Sequence, residues 1–265
     1  MIKGHPLKEM SLLEHLRELR KRLVYSCIAI VVGTFVAYAY AENIFHLLTS
    51  IFYENFHGGI LIGTGPAEAF LLKLQVSLFA GIIIVSPVLF FQAWKFVEPG
   101  LYPREKRYAA PFIACATSLF LFGIWFCYST VLPFALGFFA DQYKSIDVTP
   151  QVRISEHLSI LMQALIGFGA VFELPVMAFF LARFGILDHK TMLGAWRYIV
   201  VAIFVLSAFL APPDVFSQLL MVSVLLLLYL VSTLVVRLTE VRTSSAPAGE
   251  SVKISPEKSA NPPPS

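Results

Sequence analysis

Charge is what this sequence has least of. Asp, Glu, Lys and Arg together make up 14% of its 265 residues, against 57% hydrophobic, and the mean hydropathy is +0.75. So little charge excludes an ordinary soluble domain and points to a helical membrane protein. The net charge of +3 says nothing of partners by itself, and no nucleic acid is expected. Cysteine is scarce as well. Cys27, Cys115 and Cys127 are odd in number, widely spaced and each set in an apolar run. That excludes a disulfide framework or a thiol metal site, so neither metal nor cofactor is expected. There is no HExxH pair, and no deep Asp–Asp or Ser–His pair, which argues against an intramembrane enzyme. No inverted internal repeat is visible, which argues against a secondary transporter. The N-terminus is polar and carries charge through Arg22, so no cleavable signal peptide is expected.

What the chain does have is long apolar runs. They predict six membrane spans, at about 23–41, 70–94, 108–139, 156–182, 198–211 and 215–236. Together they make one all-α domain over 11–236, after a loose segment 1–10 and before a disordered tail 237–265 rich in Ser, Pro, Lys and Glu. Pro87 predicts a kink in the second span and Pro133 a bend in the third. The fifth run has 14 residues, about 21 Å of helix against about 30 Å of hydrocarbon. The sixth, counted from Leu219, has 18 apolar positions and is also short, about 27 Å. Residues 42–69 read as a long glycine-containing connection without a single Lys or Arg.

The basic residues are distributed asymmetrically. Seventeen of the twenty lie in the alternate segments 1–22, 95–107, 183–197 and 237–265. Only two lie in 42–69, 140–155 and 212–214, and the last is Lys73 at the start of the second span. By the positive-inside rule both termini are cytoplasmic.

Three places carry polar chemistry. Ser11 and Glu14 read as a capping box opening an amphipathic helix, in which Leu12, Leu16, Leu19 and Leu23 form one stripe. Its other faces hold Glu14, Arg17, Glu18, Arg20, Lys21 and Arg22. Next comes the turn-rich loop Glu98-Pro99-Gly100-Leu101-Tyr102-Pro103-Arg104-Glu105-Lys106-Arg107, which joins the second and third spans. Glu18 can pair with Arg22 at i+4, and Glu105 is flanked by cations, so solvated salt bridges would explain both. The same carboxylates can instead grip guanidinium groups bidentately, and spacing leaves both readings open. The third place is Glu173, in Phe172-Glu173-Leu174-Pro175, ten residues from Arg183 and so about 15 Å deep. An acid there is expensive unless partnered. Its expected roles are a docking point, a proton site, or an internal bond to Gln92 or Gln163. His15, His46, His57, His157 and His189 fall in or near loops and read as surface residues.

From about Ser11 to Val236 the chain resembles TatC, the multispanning receptor subunit of the twin-arginine protein translocase. The matching stretches are Glu14-His15-Leu16-Arg17-Glu18-Leu19-Arg20-Lys21-Arg22-Leu23, Phe96-Val97-Glu98-Pro99-Gly100-Leu101-Tyr102 with Glu105-Lys106-Arg107, Phe172-Glu173-Leu174-Pro175, and Pro212-Pro213-Asp214-Val215-Phe216-Ser217-Gln218. The resemblance implies a concave, glove-like bundle of six helices in the bacterial inner membrane. It implies export of folded proteins on the proton-motive force, with TatA- and TatB-like single-span partners and self-association in a larger complex. Glu18 and Glu105 match the acids that meet the paired arginines of signal peptides, and Phe96 and Arg20 match an aromatic and a basic position also implicated there. Glu173 matches the polar residue of the concave face, and Gln218 a polar position facing the small partners. Ala208 and Phe209 correspond to the docking edge for the TatB-like partner. Pro99, Pro212, Pro213 and Asp214 read as structural turn residues, Asp214 capping the sixth helix. The family's proline after the first span is replaced by Ile51. Glu98 is an added acid that either assists Glu105 or balances Lys95. A proton-coupled transporter using Glu173 is the alternative.

Overall fold

The computed structural model describes residues 12–100, 106–183, 185, 187–210 and 215–244. The segment 1–10, Ser11 of the expected capping box, Glu105, the Pro212-Pro213-Asp214 turn and residues 245–265 of the expected tail lie outside them.

The predicted interfacial helix and first span are one continuous element, α1 (Leu12–Tyr38). It packs chiefly on α3 (Glu68–Val97), and two glycines set that contact. A Cβ on Gly33 would lie 2.9 Å from the Gly81 carbonyl oxygen, and a Cβ on Gly81 would lie 2.6 Å from the Thr34 nitrogen. Backbone meets backbone at this crossing, as small residues permit inside membranes. Pro87 sits within α3, where its missing N–H would have bonded the Ile83 carbonyl. The Ser86 hydroxyl donates to that carbonyl at 2.8 Å instead. Ser86→Ala is therefore expected to lower stability by about 1 kcal/mol, as a lower detergent melting temperature. An unchanged value would show that the orphan carbonyl is satisfied elsewhere.

The stretch read as a long connection is more ordered than expected. It contains α2 (Ala41–Asn55), with Leu48, Thr49, Ile51 and Phe52 buried, and β1 (Ile60–Ile62). Helix gives out only after Asn55, as the chain enters the part where the glycines and Pro66 are concentrated. Ile51 is a core residue of α2. β1 pairs in parallel with β2 (Gln151–Arg153), Ile60 opposite Gln151.

The third run, where a bend was expected, is interrupted by a π-turn. Cys127–Val131 interrupts α4 (Ala109–Phe126) before α5 (Leu132–Ser145), and Pro133 enters α5 in its first turn. The fourth run is two helices, α6 (Ile154–Val171) and α7 (Leu174–Arg183), broken at Phe172 and Glu173. Pro175 can neither donate to Val171 nor fit its carbonyl, so α6 stops there. A short α8 (His189–Gly194) precedes α9 (Trp196–Leu210), and α10 (Val215–Ser244) closes the chain. The sixth helix is thus not short: it continues eight residues past the expected end at Val236, into the stretch read as disordered tail. Its apolar stretch ended where Arg237 begins the charged residues, but helix propensity does not. Among the described residues five helices are long and apolar enough to cross a membrane, and α9 is the shorter apolar one.

α6 forms the central pole. Leu158, Leu161, Leu165 and Phe168 pack with Leu48 and Ile51 of α2, Val76 and Phe79 of α3, and Met221 and Leu225 of α10. A second cluster, Trp94, Phe112, Ala116, Val176 and Phe180, joins α3, α4 and α7 at the opposite end from α2. That end, where α3 finishes and α4 begins, is the rim; the end carrying α2 and the strands is the cap.

Candidate functional site

At the rim the first turns of α1 lie along the last turns of α3. The His15 ring stacks on Phe96, with centroids 4.5 Å apart. One turn further, Arg22 Nε donates to Glu18 Oε1 at 2.6 Å, and Arg22 Nη1 donates to Gln92 Oε1 at 3.2 Å. Helix spacing brings Glu18 to Arg22, and the α1–α3 packing brings Gln92 to Arg22. Glu18 and Arg22 are each 21% exposed, so the pair is partly shielded from water and from salt. Arg20 is exposed. Glu98 lies in a short 3₁₀ turn with Pro99, 2.6 Å from Lys95 and 3.9 Å from Lys106. Among the described residues it therefore balances two cations. Across the rim, Arg107 and Arg183 each donate to the Tyr108 hydroxyl at 3.3 Å and lie against its ring. The structure so gathers Glu18, Phe96 and Glu98 in one place, together with two residues that were expected elsewhere. His15 read as a surface histidine, and Gln92 as a partner for Glu173.

Glu173 stands apart, in the break between α6 and α7. It is 8% exposed, and its Oε1 has no hydrogen-bond partner among the described residues. Neither expected partner reaches it. Gln92 holds Arg22, and Gln163 Nε2 donates to the Phe209 carbonyl at 2.9 Å. Phe172 beside it packs on Phe122 and Phe126, and Cys115 lies within its electrostatic reach. An unpartnered buried carboxyl costs about 1–3 kcal/mol. Glu173→Leu is accordingly expected to raise the melting temperature while impairing function, the pattern of a site held against stability. A variant that melts lower would mean that Glu173 has a structural partner.

Gln218, near the start of α10, donates from Nε2 to the Phe204 carbonyl at 3.4 Å. Together Gln163 and Gln218 tie α9 to α6 and α10 through backbone oxygens. Ala208 and Phe209 face outward, Phe209 at 73% exposure. With Tyr198, Val201 and Val205 it makes an exposed apolar stripe along a helix of 15 residues, about 22 Å. His157 departs from expectation more sharply. It is 7% exposed, packed edge-on against Phe52 of α2 at 5.2 Å, because the first turn of α6 lies against α2.

The fold and the rim define a multi-pass helical membrane protein with a cluster of charged side chains at one end. The family model described as Sec-independent protein translocase protein (TatC) matches residues 14–223. Over 235 residues the chain is 37% identical to the TatC protein of Carboxydothermus hydrogenoformans, covering 87% of this chain and 94% of the relative. It is 36% identical over 224 residues to that of Aquifex aeolicus, covering 84% and 93%. A crystal structure of the twin-arginine translocase receptor TatC superposes with a TM-score of 0.79 at 35% identity, covering 86% of this chain and all of the other. A second, solved in DDM, gives 0.77 at 36% identity, covering 83% and 98%. The chain belongs to the TatC family of Sec-independent protein translocase proteins. Its work is protein transport across a membrane.

Proposed function

We propose that the rim is where this translocase subunit reads the paired arginines of signal peptides, using the carboxylates of Glu18 and Glu105. One observation carries the reading: Glu18, half-buried one turn from the His15 that stacks on Phe96, already accepts a guanidinium, that of Arg22, in close charge-assisted contact. A leader's arginine takes the place of Arg22, which falls back on Gln92. The planar fork of arginine fits this carboxylate and lysine does not. Phe96, braced by His15, supplies an apolar wall, and Arg20 an exposed cation beside it. The leader's apolar segment then passes Glu173. TatA- and TatB-like single-span subunits dock along Ala208, Phe209 and Gln218, several copies assemble, and the proton-motive force drives passage. The rim faces the cytoplasm of a bacterial inner membrane with both termini on that side, as the seventeen-to-two distribution of basic residues supports. The subunit binds and conducts; it catalyses no covalent reaction. A proton-coupled transporter has no comparable support.

The test is binding of the purified protein to a synthetic leader bearing Arg-Arg, Lys-Lys or Gln-Gln. The Arg-Arg form is expected to bind at least tenfold more tightly than either other form. Glu105→Gln is expected to narrow the gap to Lys-Lys. Equal binding of all three leaders would refute the assignment.

A further inference from the structure

Between α2, α5, α6 and α10, at the cap, lies a cavity of about 350 Å³. Its walls are hydrocarbon, among them Leu132, Ala135, Phe139, Ala164, Phe168 and Met221, and its polar lining is confined to Tyr143, Glu156, His157 and Ser217. Glu156 is engaged by Arg153 at 3.1 Å. The imidazole of His157 is different: it is buried, and its Nε2 has no hydrogen-bond partner among the described residues. A buried ring nitrogen left unpaired costs free energy comparable to a lost hydrogen bond, and such atoms mark a missing partner. Water is a poor candidate for a chamber this size, because each buried molecule needs two to four polar partners. A long apolar group carrying one acceptor matches the walls.

We propose that this cavity holds one acyl chain of a membrane phospholipid, whose ester carbonyl accepts a hydrogen bond from His157 Nε2. Depth supports this occupant. His157 is the fourth residue of α6, so it lies about 5 Å along the helix from its start. The polar belt on each face of a bilayer is about 5–8 Å thick, and its inner edge is where glycerol esters sit. From that level the chain runs towards the midplane past Ala164 and Phe168, about 10 and 16 Å further along α6. Entry is sideways from the bilayer. Ile160 lines the cavity and is 44% exposed, and Tyr143 lines it and is 37% exposed. The volume is at the lower end of ligand sites, which suits a single chain and no headgroup. The lipid would fill the space under α2 and make the cap depend on bilayer composition.

Photo-crosslinking tests it, with the full-length protein in nanodiscs containing a phosphatidylcholine that carries a diazirine near the middle of one ester-linked chain. Adducts are expected to concentrate on residues 132–143 and 157–168. Ala164→Phe, which fills the chamber, is expected to cut those adducts at least tenfold. Because it also risks misfolding, Ile160→Trp at the mouth serves as a second block, and both variants are checked for melting temperature and monodispersity. His157→Leu is expected to cut labelling by the ester lipid about fivefold and to leave an ether-linked analogue unchanged. Adducts spread evenly over all exposed helices, or insensitive to both filling variants, would overturn the proposal. So would displacement of the lipid by a leader's apolar segment, which would assign the chamber to cargo. The crosslinking arms contain no leader, and the displacement arm reads the leader's apolar segment and not its arginines, so the outcome is independent of the assignment of Glu18 and Glu105.

Discussion

Gly81→Leu is expected to abolish accumulation of folded protein. Any Cβ at this position meets the Thr34 nitrogen at 2.6 Å and the Gly33 carbonyl carbon at 2.9 Å, both backbone atoms that cannot rotate away. The helices must part along the whole α1–α3 contact, and dispersion is lost steeply with separation. Gly81→Ala already overpacks the crossing and should cost about 1–3 kcal/mol. The loss should extend to recognition, because the same contact sets Arg22, the partner of Glu18, against Gln92 and His15 against Phe96. Gly137→Ala is the control. Its Cβ would meet only Asn55 Oδ1, at 3.7 Å, and it should be neutral or stabilising by up to about 1 kcal/mol. Membrane yield and detergent melting temperature measure both. A stable Gly81→Leu protein would mean that α1 does not cross α3 here.

Glu18→Gln is expected to weaken binding of an Arg-Arg leader about 10- to 100-fold. A hydrogen bond to a charged group contributes about 1.5–3 kcal/mol, and each 1.4 kcal/mol is a factor of ten. The neutral amide keeps the shape and loses the charge. Arg22→Gln is expected to act in the opposite direction, raising affinity severalfold, since Glu18 no longer has an occupant to displace. Opposed signs separate a receptor carboxylate from a merely structural pair. If both substitutions weaken binding alike, the Glu18–Arg22 pair only holds α1 in shape.

Much of this was legible in advance wherever the signal is local. Apolar runs announced the spanning helices, and Pro133 an irregularity near the π-turn at Cys127–Val131, whereas 156–182 read as one span and the break at Phe172–Glu173 was missed although Pro175 is its local cause. The Glu18–Arg22 pair follows from i,i+4 spacing. α2 was missed because its charged residues and the glycines beyond Gly58 made the whole segment look like connection. The two strands pair across some ninety residues, and three-residue segments carry no periodicity of their own.

The sequence by itself determined the class of protein, its apolar segments and the charge asymmetry of its ends, because these depend on composition and on neighbours within one or two helical turns. Only the tertiary structure decided that Gly33 faces Gly81, that Gln92 belongs to Arg22 and not to Glu173, and that His157 is buried under α2. Such pairings depend on which faces of distant helices meet. A helix's own residues fix its stripe, but the partner of that stripe is chosen by packing of the whole bundle.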